Sequence, residues 1–200
     1  MDATSVELPA NYNVAPTQGV AAVLEEDGQR RLEVLRWGLI PPWADDPQIG
    51  SRMINARSEM APEKQSFRRA FRKRRCLIPA DGFYEWRRTN GAKQPYYIHL
   101  EDGRPFTFIG LWESWSGEGE VRTCTILTTG ANALVGEIHD RMPVILARDA
   151  YDVWLDPASE KDELRDLLAP FPEDGMEAYP VSRFVNNPQN NDPRCVEPAA

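Results

Sequence analysis

DGFYEWRRTNGAKQPYYIHLEDGRPFTFIGLWE, residues 81–113, decides the fold. Three extended runs, 82–88, 94–100 and 106–115, are rich in aromatic and β-branched residues and are separated by Asn90-Gly91 and Asp102-Gly103. Asn-Gly is the dipeptide that a two-residue hairpin turn selects, because both central positions need positive φ. Strands joined so briefly must run antiparallel. Working outward, residues 76–79 and 121–129 also read as strands, as do 19–25 and 31–37 around Glu26-Asp27-Gly28-Gln29, and 177–183 near the end. Phe67, Ala70 and Phe71 recur at helical spacing behind Ser66, so 66–75 is a short helix with Ser66 as N-cap and a basic outer face. A helical turn is expected at 131–136, and helices at 148–155 and 159–168, stopped by Pro170 and Pro172. The pattern predicts one α+β domain, with a mainly antiparallel, twisted or barrel-like sheet and flanking helices.

Six Trp, seven Phe and six Tyr within a 42% hydrophobic composition are enough to fill a core in 200 residues without staples. Cys76, Cys124 and Cys195 are an odd number, far apart, with no CxxC pair and only two histidines for company. A disulfide framework or a zinc site is not expected, and neither is any metal or cofactor. The opening MDATSVELPANYN has no basic stretch followed by an apolar run, and no segment approaches about 18 apolar residues. A cytoplasmic protein without a membrane contact is expected, with reduced thiols. The net charge of −8 opposes general affinity for nucleic acid. Its distribution is uneven, however. Arg68, Arg69, Arg72, Lys73, Arg74 and Arg75 crowd one segment, while acids collect at 25–27, 118–120 and 160–163. A locally positive groove on an acidic protein is compatible with that pattern.

Three polar residues sit in apolar surroundings: Asn55 in INARSE, Glu85 in DGFYEW and His139 in IHDRMPVI. A carboxyl between aromatics is costly to bury ionised, so its pKa is expected to rise, as a general acid or base requires. Histidine moves protons near neutral pH. An Asn amide can hold a sugar oxygen. Each also has a structural alternative: Glu85 pairing with an arginine, His139 capping a turn. Arg57 and Arg141 follow Asn55 and His139 by two residues, placed either to bind phosphate or to neutralise Glu85. Most of the tryptophans belong in a core. Trp43 is the exception, since it lies in the Pro-rich loop GLIPPWADDPQIGSRM, residues 38–53.

In order along the chain stand YNVAPTQ (12–18), RWGLIPPWA (36–44), INARSE (54–59), RRCLIPADGFYEW (74–86), QPYYI (94–98), FTFIGLWE (106–113), TILTTGAN (125–132), IHDRMPVIL (138–146) and PVSRFVNN (180–187). This series resembles the SOS response-associated peptidase (SRAP) family, over about residues 11–187. The resemblance implies a single SRAP domain over 1–187 and a polar tail over 188–200, poorly ordered at its end. It implies a monomer that senses abasic sites in single-stranded DNA and forms a covalent crosslink, nucleoid-associated when bound. In the family, the α-amine and thiol of an N-terminal cysteine capture the ring-opened aldehyde as a Schiff base that closes to a thiazolidine. Asn55 would position the sugar. Glu85 would assist proton transfer and removal of the initiator methionine, and His139 would promote ring opening and reversal. Arg57, Arg141, Trp43 and Trp86, with Asn13 and Pro16 of the first motif, would contact DNA.

The family opens Met-Cys-Gly-Arg, whereas this sequence opens Met-Asp. The expectation is that Met1 is not the start of the functional protein, and that the polypeptide as written binds abasic DNA reversibly. Two alternatives stand beside this: a non-catalytic sensor of single strands or junctions, and a hydrolase acting on peptides. The second is disfavoured, since no cysteine has a His or other base beside it in sequence.

Overall fold

A computed structural model describes residues 9–89, 91–117 and 119–199. The strands are β1 (Gly19–Glu26), β2 (Gln29–Trp37), β3 (Asn55–Arg57), β4 (Arg75–Ala80), β5 (Gly82–Thr89), β6 (Ala92–Leu100), β7 (Phe106–Ser116), β8 (Glu120–Gly130), β9 (Arg141–Pro143), β10 (Ile145–Leu146) and β11 (Met176–Pro180). Four short helices interrupt them: α1 (Arg68–Lys73), α2 (Ala133–Gly136), α3 (Tyr151–Leu155) and α4 (Lys161–Asp166).

Strands β7, β4, β1, β2 and β8 pair in that order, and β8 pairs back onto β7, closing a five-stranded barrel. The pairings are antiparallel, except that β2 and β3 both run parallel to β8. Strands β5, β6 and β11 form a second antiparallel sheet. A tight turn that includes Gly91, at φ +81°, joins β5 to β6, with pairing that continues to Thr89↔Ala92. Asn90 itself lies outside the described residues, as does Glu118 of the second acidic run.

The alternation of side chains along each strand sorts the core into two bodies. Ala22, Leu24, Cys76, Trp112, Cys124 and Ile126 fill the barrel, and this cluster runs on to Phe83 and Ile98 of the second sheet. Leu77, Ile109, Leu111 and Leu127 point out of the barrel, under Phe67, Phe71 and Trp154. The second sheet thus buries one face against the barrel end. Its other face carries Tyr84, Tyr97 and Tyr179.

Two local expectations change. Ser66 does not cap α1, because the helix begins one residue later, with Phe67 in the cap position and no side-chain cap bond. Arg75 is not part of a basic surface. It is 4% exposed, and its guanidinium donates to the carbonyls of Phe71, Arg72, Trp154 and Asp156. It satisfies the bare carbonyl ends of α1 and α3 at once, although burial pushes its pKa down.

The polar C-terminal segment is also packed rather than loose. Cys195 is fully buried beside Val181 and Val185, Tyr179 Oη donates to the Val196 carbonyl at 2.8 Å, and the Ala199 N–H reaches the Pro180 carbonyl at 2.8 Å. The expectation of a poorly ordered end therefore fails as far as residue 199. The tyrosine face of the second sheet supplies apolar cover that composition alone does not reveal.

Asn13 holds this segment in place. Its side-chain NH2 donates to the carbonyls of Val185 (3.0 Å), Asn187 (3.1 Å) and Asn190 (3.0 Å). Replacing Asn13 by Ala leaves these carbonyls without their buried donor, at an expected cost of about 1–3 kcal/mol. Urea unfolding should show that loss, and hydrogen exchange should rise first in 185–195. An unchanged midpoint and exchange pattern would remove Asn13 from this role.

Candidate active site and nucleic-acid interface

Strand β3 is three residues long, with Ala56 buried and Asn55 and Arg57 exposed. Its start is held by Trp37 Nε1, which donates to the Ile54 carbonyl at 2.8 Å. Asn55 pairs with Ile126 and Arg57 with Thr128 on one edge of β8. On the other edge, Pro143 pairs with Thr128 and Arg141 with Gly130. Arg141 therefore lies two residues along β8 from the Arg57 row and four from the Asn55 row.

His139 occupies the tight connection from α2 to β9. Its N–H reaches the Val135 carbonyl at 2.9 Å, and the Ala131 N–H reaches the Asp140 carbonyl at 3.1 Å. The Arg141 N–H donates to His139 Nδ1 at 3.1 Å. The Arg141 carbonyl lies 3.2 Å from the same nitrogen, so the backbone can satisfy Nδ1 in either tautomer of the ring. Asp140 Oδ1 lies 3.3 Å from Nδ1, where it can accept a hydrogen bond from a charged ring.

Glu85 shares a face of β5 with Phe83, the face turned toward the barrel. It is half-buried, and burial holds its carboxyl above the ordinary range. His139 opposes that rise, the Trp86 N–H opposes it less, and Asp140 adds to it. Glu85 and His139 are thus neighbours although distant in sequence. Asn55 faces the same side as Ile126, which belongs to the cluster containing Phe83. Asn55 makes no side-chain hydrogen bond among the described residues.

The two arginines differ. Arg57 is exposed and has no ion-pair partner within bonding distance among the described residues. Arg141 is engaged: Nη1 and Nη2 reach the Glu59 carboxylate at 2.7 and 2.9 Å, and Nη2 also donates to the Thr128 carbonyl. The hydrogen bonds from Arg141, with Arg57 adding a smaller pull, hold Glu59 below the usual carboxylate range.

Trp43 is 52% exposed, yet its loop is pinned. Trp115 Nε1 donates to the Ala44 carbonyl at 2.7 Å, and Gly38, at φ +129°, lies so close to Gly50 that a Cβ would meet the Gly50 oxygen at 2.7 Å. Trp86 is half-buried, and its Nε1 donates to Asn186 Oδ1 at 2.9 Å. Pro16 is exposed on the turn before β1. None of the three cysteines offers a thiol to this surface. All are buried, with burial pushing Cys76 well up and Cys124 up to about 12.

The family model for SOS response associated peptidases (SRAP) matches residues 1–188. The chain belongs to the SRAP family. Among SRAP relatives, the abasic site processing protein YoqW of Bacillus subtilis is 49% identical over 195 residues, covering 96% of this chain and 87% of that protein. The abasic site processing protein HMCES of Xenopus tropicalis is 33% identical, covering 98% of this chain and 68% of its own length. A crystal structure from Bacteroides thetaiotaomicron superposes with a TM-score of 0.84 at 34% identity, covering 92% of this chain and 82% of the other. One from Bordetella bronchiseptica gives 0.77 at 32% identity, covering 89% and 90%.

Within this SRAP fold, two expectations about the interface change. Asn13 is 7% exposed and its amide hydrogens are spent on the C-terminal segment, so it offers no donor to DNA. The basic helix does not line the site. Arg68, Arg69, Arg72 and Lys73 border a shallow surface of their own, and Arg74 pairs with buried Glu113. Glu25, Asp152, Asp156 and Glu163 gather in a separate hollow bridged by Arg30, away from Glu85 and His139. Sequence reasoning alone passes over Glu59 and Asn186. Both lie inside family motifs, and the signal for Glu59 is a carboxylate two residues after an arginine, in a stretch where cations need partners. Among the described residues no cluster of three His, Cys, Asp or Glu side chains is arranged to hold a metal, and no helix is long and apolar enough to cross a membrane.

Since burial raises Glu85, the folded state favours its protonated form. That contribution is complete below the ordinary glutamate pKa of about 4.3 and is lost as pH rises through the folded value. Glu85→Gln, neutral throughout, should therefore melt higher than the unmodified protein at pH 7, with the gap closing toward about pH 4. Equal melting at pH 7 would mean that His139 and the Trp86 N–H cancel the burial.

Proposed function

We propose that this protein recognises abasic sites in single-stranded DNA, with the strand laid across β3 and the β9 turn and the damaged sugar beside Glu85 and His139. The proximity of Glu85 and His139, one carboxyl raised by burial next to one imidazole, carries this reading. A protonated Glu85 can deliver a proton to the sugar ring oxygen as the ring opens, and His139 Nε2 can exchange protons at the same centre. The exposed Asn55 amide suits a sugar oxygen. Arg57 suits a backbone phosphate. The exposed indole of Trp43, on a loop that cannot collapse onto it, suits stacking on a base, and Trp86 flanks Glu85 on β5.

The covalent step is proposed for a form that presents an N-terminal cysteine in this cleft. The α-amine adds to the sugar aldehyde and loses water to give an imine. The thiol of the same residue then adds across the C=N bond, its proton passing to nitrogen, to give a thiazolidine. Amine and thiol must belong to one residue, so Cys76, Cys124 and Cys195 cannot replace it. Removal of an initiator methionine by Glu85 belongs to the same proposal. The names of the relatives support the abasic-site reading.

The test pairs a binding measurement with a denaturing gel. Arg57→Glu should weaken single-stranded DNA binding and reduce the salt slope by roughly 0.7 for each phosphate that is no longer neutralised. Residues 1–200 alone should bind an abasic oligonucleotide reversibly. A version opening Met-Cys should leave a heat-stable adduct that a Cys→Ala change abolishes. A heat-stable adduct from residues 1–200 would transfer the chemistry to a lysine or the α-amine. Unchanged affinity in Arg57→Glu would move the strand off β3.

A further inference from the structure

The Glu59–Arg141 pair has an asymmetry that an ordinary surface ion pair lacks. The cation is the fixed member. The Arg141 side chain is 22% exposed, Nη2 is anchored on the Thr128 carbonyl of β8, and Nε is buried without a partner. The carboxylate is the loose member: the Glu59 side chain is 55% exposed, and apart from its own backbone N–H it is held only by Arg141 among the described residues. It sits on the turn that follows β3, where the Ser58 N–H is held by Thr128 and the Met60 N–H by Arg57. The backbone is placed, and the side chain reaches back over the arginine.

A guanidinium fork binds a carboxylate and a phosphate with the same two parallel N–H donors. Of the five N–H groups of Arg141, two are taken by Glu59, one by Thr128, and one, on Nε, is buried. One is left. With Glu59 in place, Arg141 cannot grip a phosphate bidentately; with Glu59 swung into water, a preset fork stands open beside Arg57.

We propose that Glu59 stands in for a DNA phosphate: it fills the Arg141 fork in the DNA-free protein, and a backbone phosphate binds there by displacing it. This rests on the reading that the strand crosses β3 and the β9 turn. Glu59 then limits loose attachment to undamaged strands, because every phosphate that takes Arg141 must first compete with a tethered carboxylate. The fork is never left empty, and its charge is hidden from distant polyanions.

The experiment measures affinity for one single-stranded oligonucleotide, intact and with a central abasic site, over a range of salt. Glu59→Gln should tighten binding to both by about fivefold at low salt, the upper range for removing a competing exposed ion pair. It should also steepen the salt slope by up to roughly 0.7, because no freed carboxylate remains beside the phosphate. In an Arg141→Gln background the same change should give no tightening, since there is no fork to free. Weaker or unchanged binding by Glu59→Gln would overturn the proposal and make Glu59 a brace for Arg141. If the unmodified protein and Glu59→Gln both fail to bind either strand, the strand path itself is wrong. Binding without any tightening removes only the displacement.

Discussion

Strands β7 and β8 run paired from Ser116↔Glu120 to Gly110↔Ile126, and there they part. Val144 enters the gap, donating to the Leu127 carbonyl on β8 and accepting from the Ile109 N–H on β7. This split organises the end of the barrel that carries Asn55, Arg57 and Arg141. Below it, the β7–β8 ladder closes the barrel. Above it, the last residues of β8 have both edges free, and β3 and β9 take them. Position 110 has to be glycine for the parting strands to stay packed, because a Cβ would stand 2.7 Å from Cys76 Sγ and 2.8 Å from Ile78 Cδ1. Barrel interiors have no slack to absorb such a clash.

Because β3 and β9 flank one strand, the residues they carry are held by ladder hydrogen bonds rather than by loops. Arg57 and Arg141 sit in fixed rows of the sheet, and His139 is fastened by bonds at both ends of its turn. Glu85 comes from the second sheet, which is seated on the barrel through Phe83 and Ile98. The candidate site therefore lies where the two sheets meet, and its geometry depends on the packing between them. The rigidity matters for acid–base chemistry, where a small displacement of a carboxyl from an imidazole changes both pKa and reach.

A protein of net charge −8 can still offer a positive site because its charges are sorted. Arg122 is occupied by Glu26 and Glu33, Arg30 by Asp152 and Glu25, and Arg74 by Glu113. Arg75 is turned inward onto carbonyls. Glu25, Asp152, Asp156 and Glu163 share one hollow with Arg30, away from the seam. Beside the seam, Arg57 has no ion-pair partner among the described residues, while Arg141 is covered by Glu59. At physiological salt the distant acids are screened over a Debye length of about 8 Å.

The sequence by itself determined the strands and the class. Turn dipeptides at Asn90-Gly91 and Asp102-Gly103, and alternation in FTFIGLWE, are local properties, and they fixed an antiparallel, barrel-like α+β domain. The ordered motifs likewise fixed the family. The sequence also marked Glu85 and His139 as polar residues in apolar surroundings, since burial cost can be read from neighbours along the chain. It could not reveal that β2 and β3 run parallel to β8, because those pairings join segments about seventy to ninety residues apart and leave no local trace. Nor could it separate Arg57 from Arg141, or Arg68 from Arg75. Each is an arginine in a basic or motif context, and only the fold decides which carbonyls and carboxylates stand within 3 Å of a guanidinium. Asn13 makes the same point. Its motif suggested a surface contact, but the C-terminal segment returns across some 170 residues to take its amide. Hydrogen-bond partners at long range belong to the tertiary structure, because directional bonds need positions, and composition supplies only donors and acceptors.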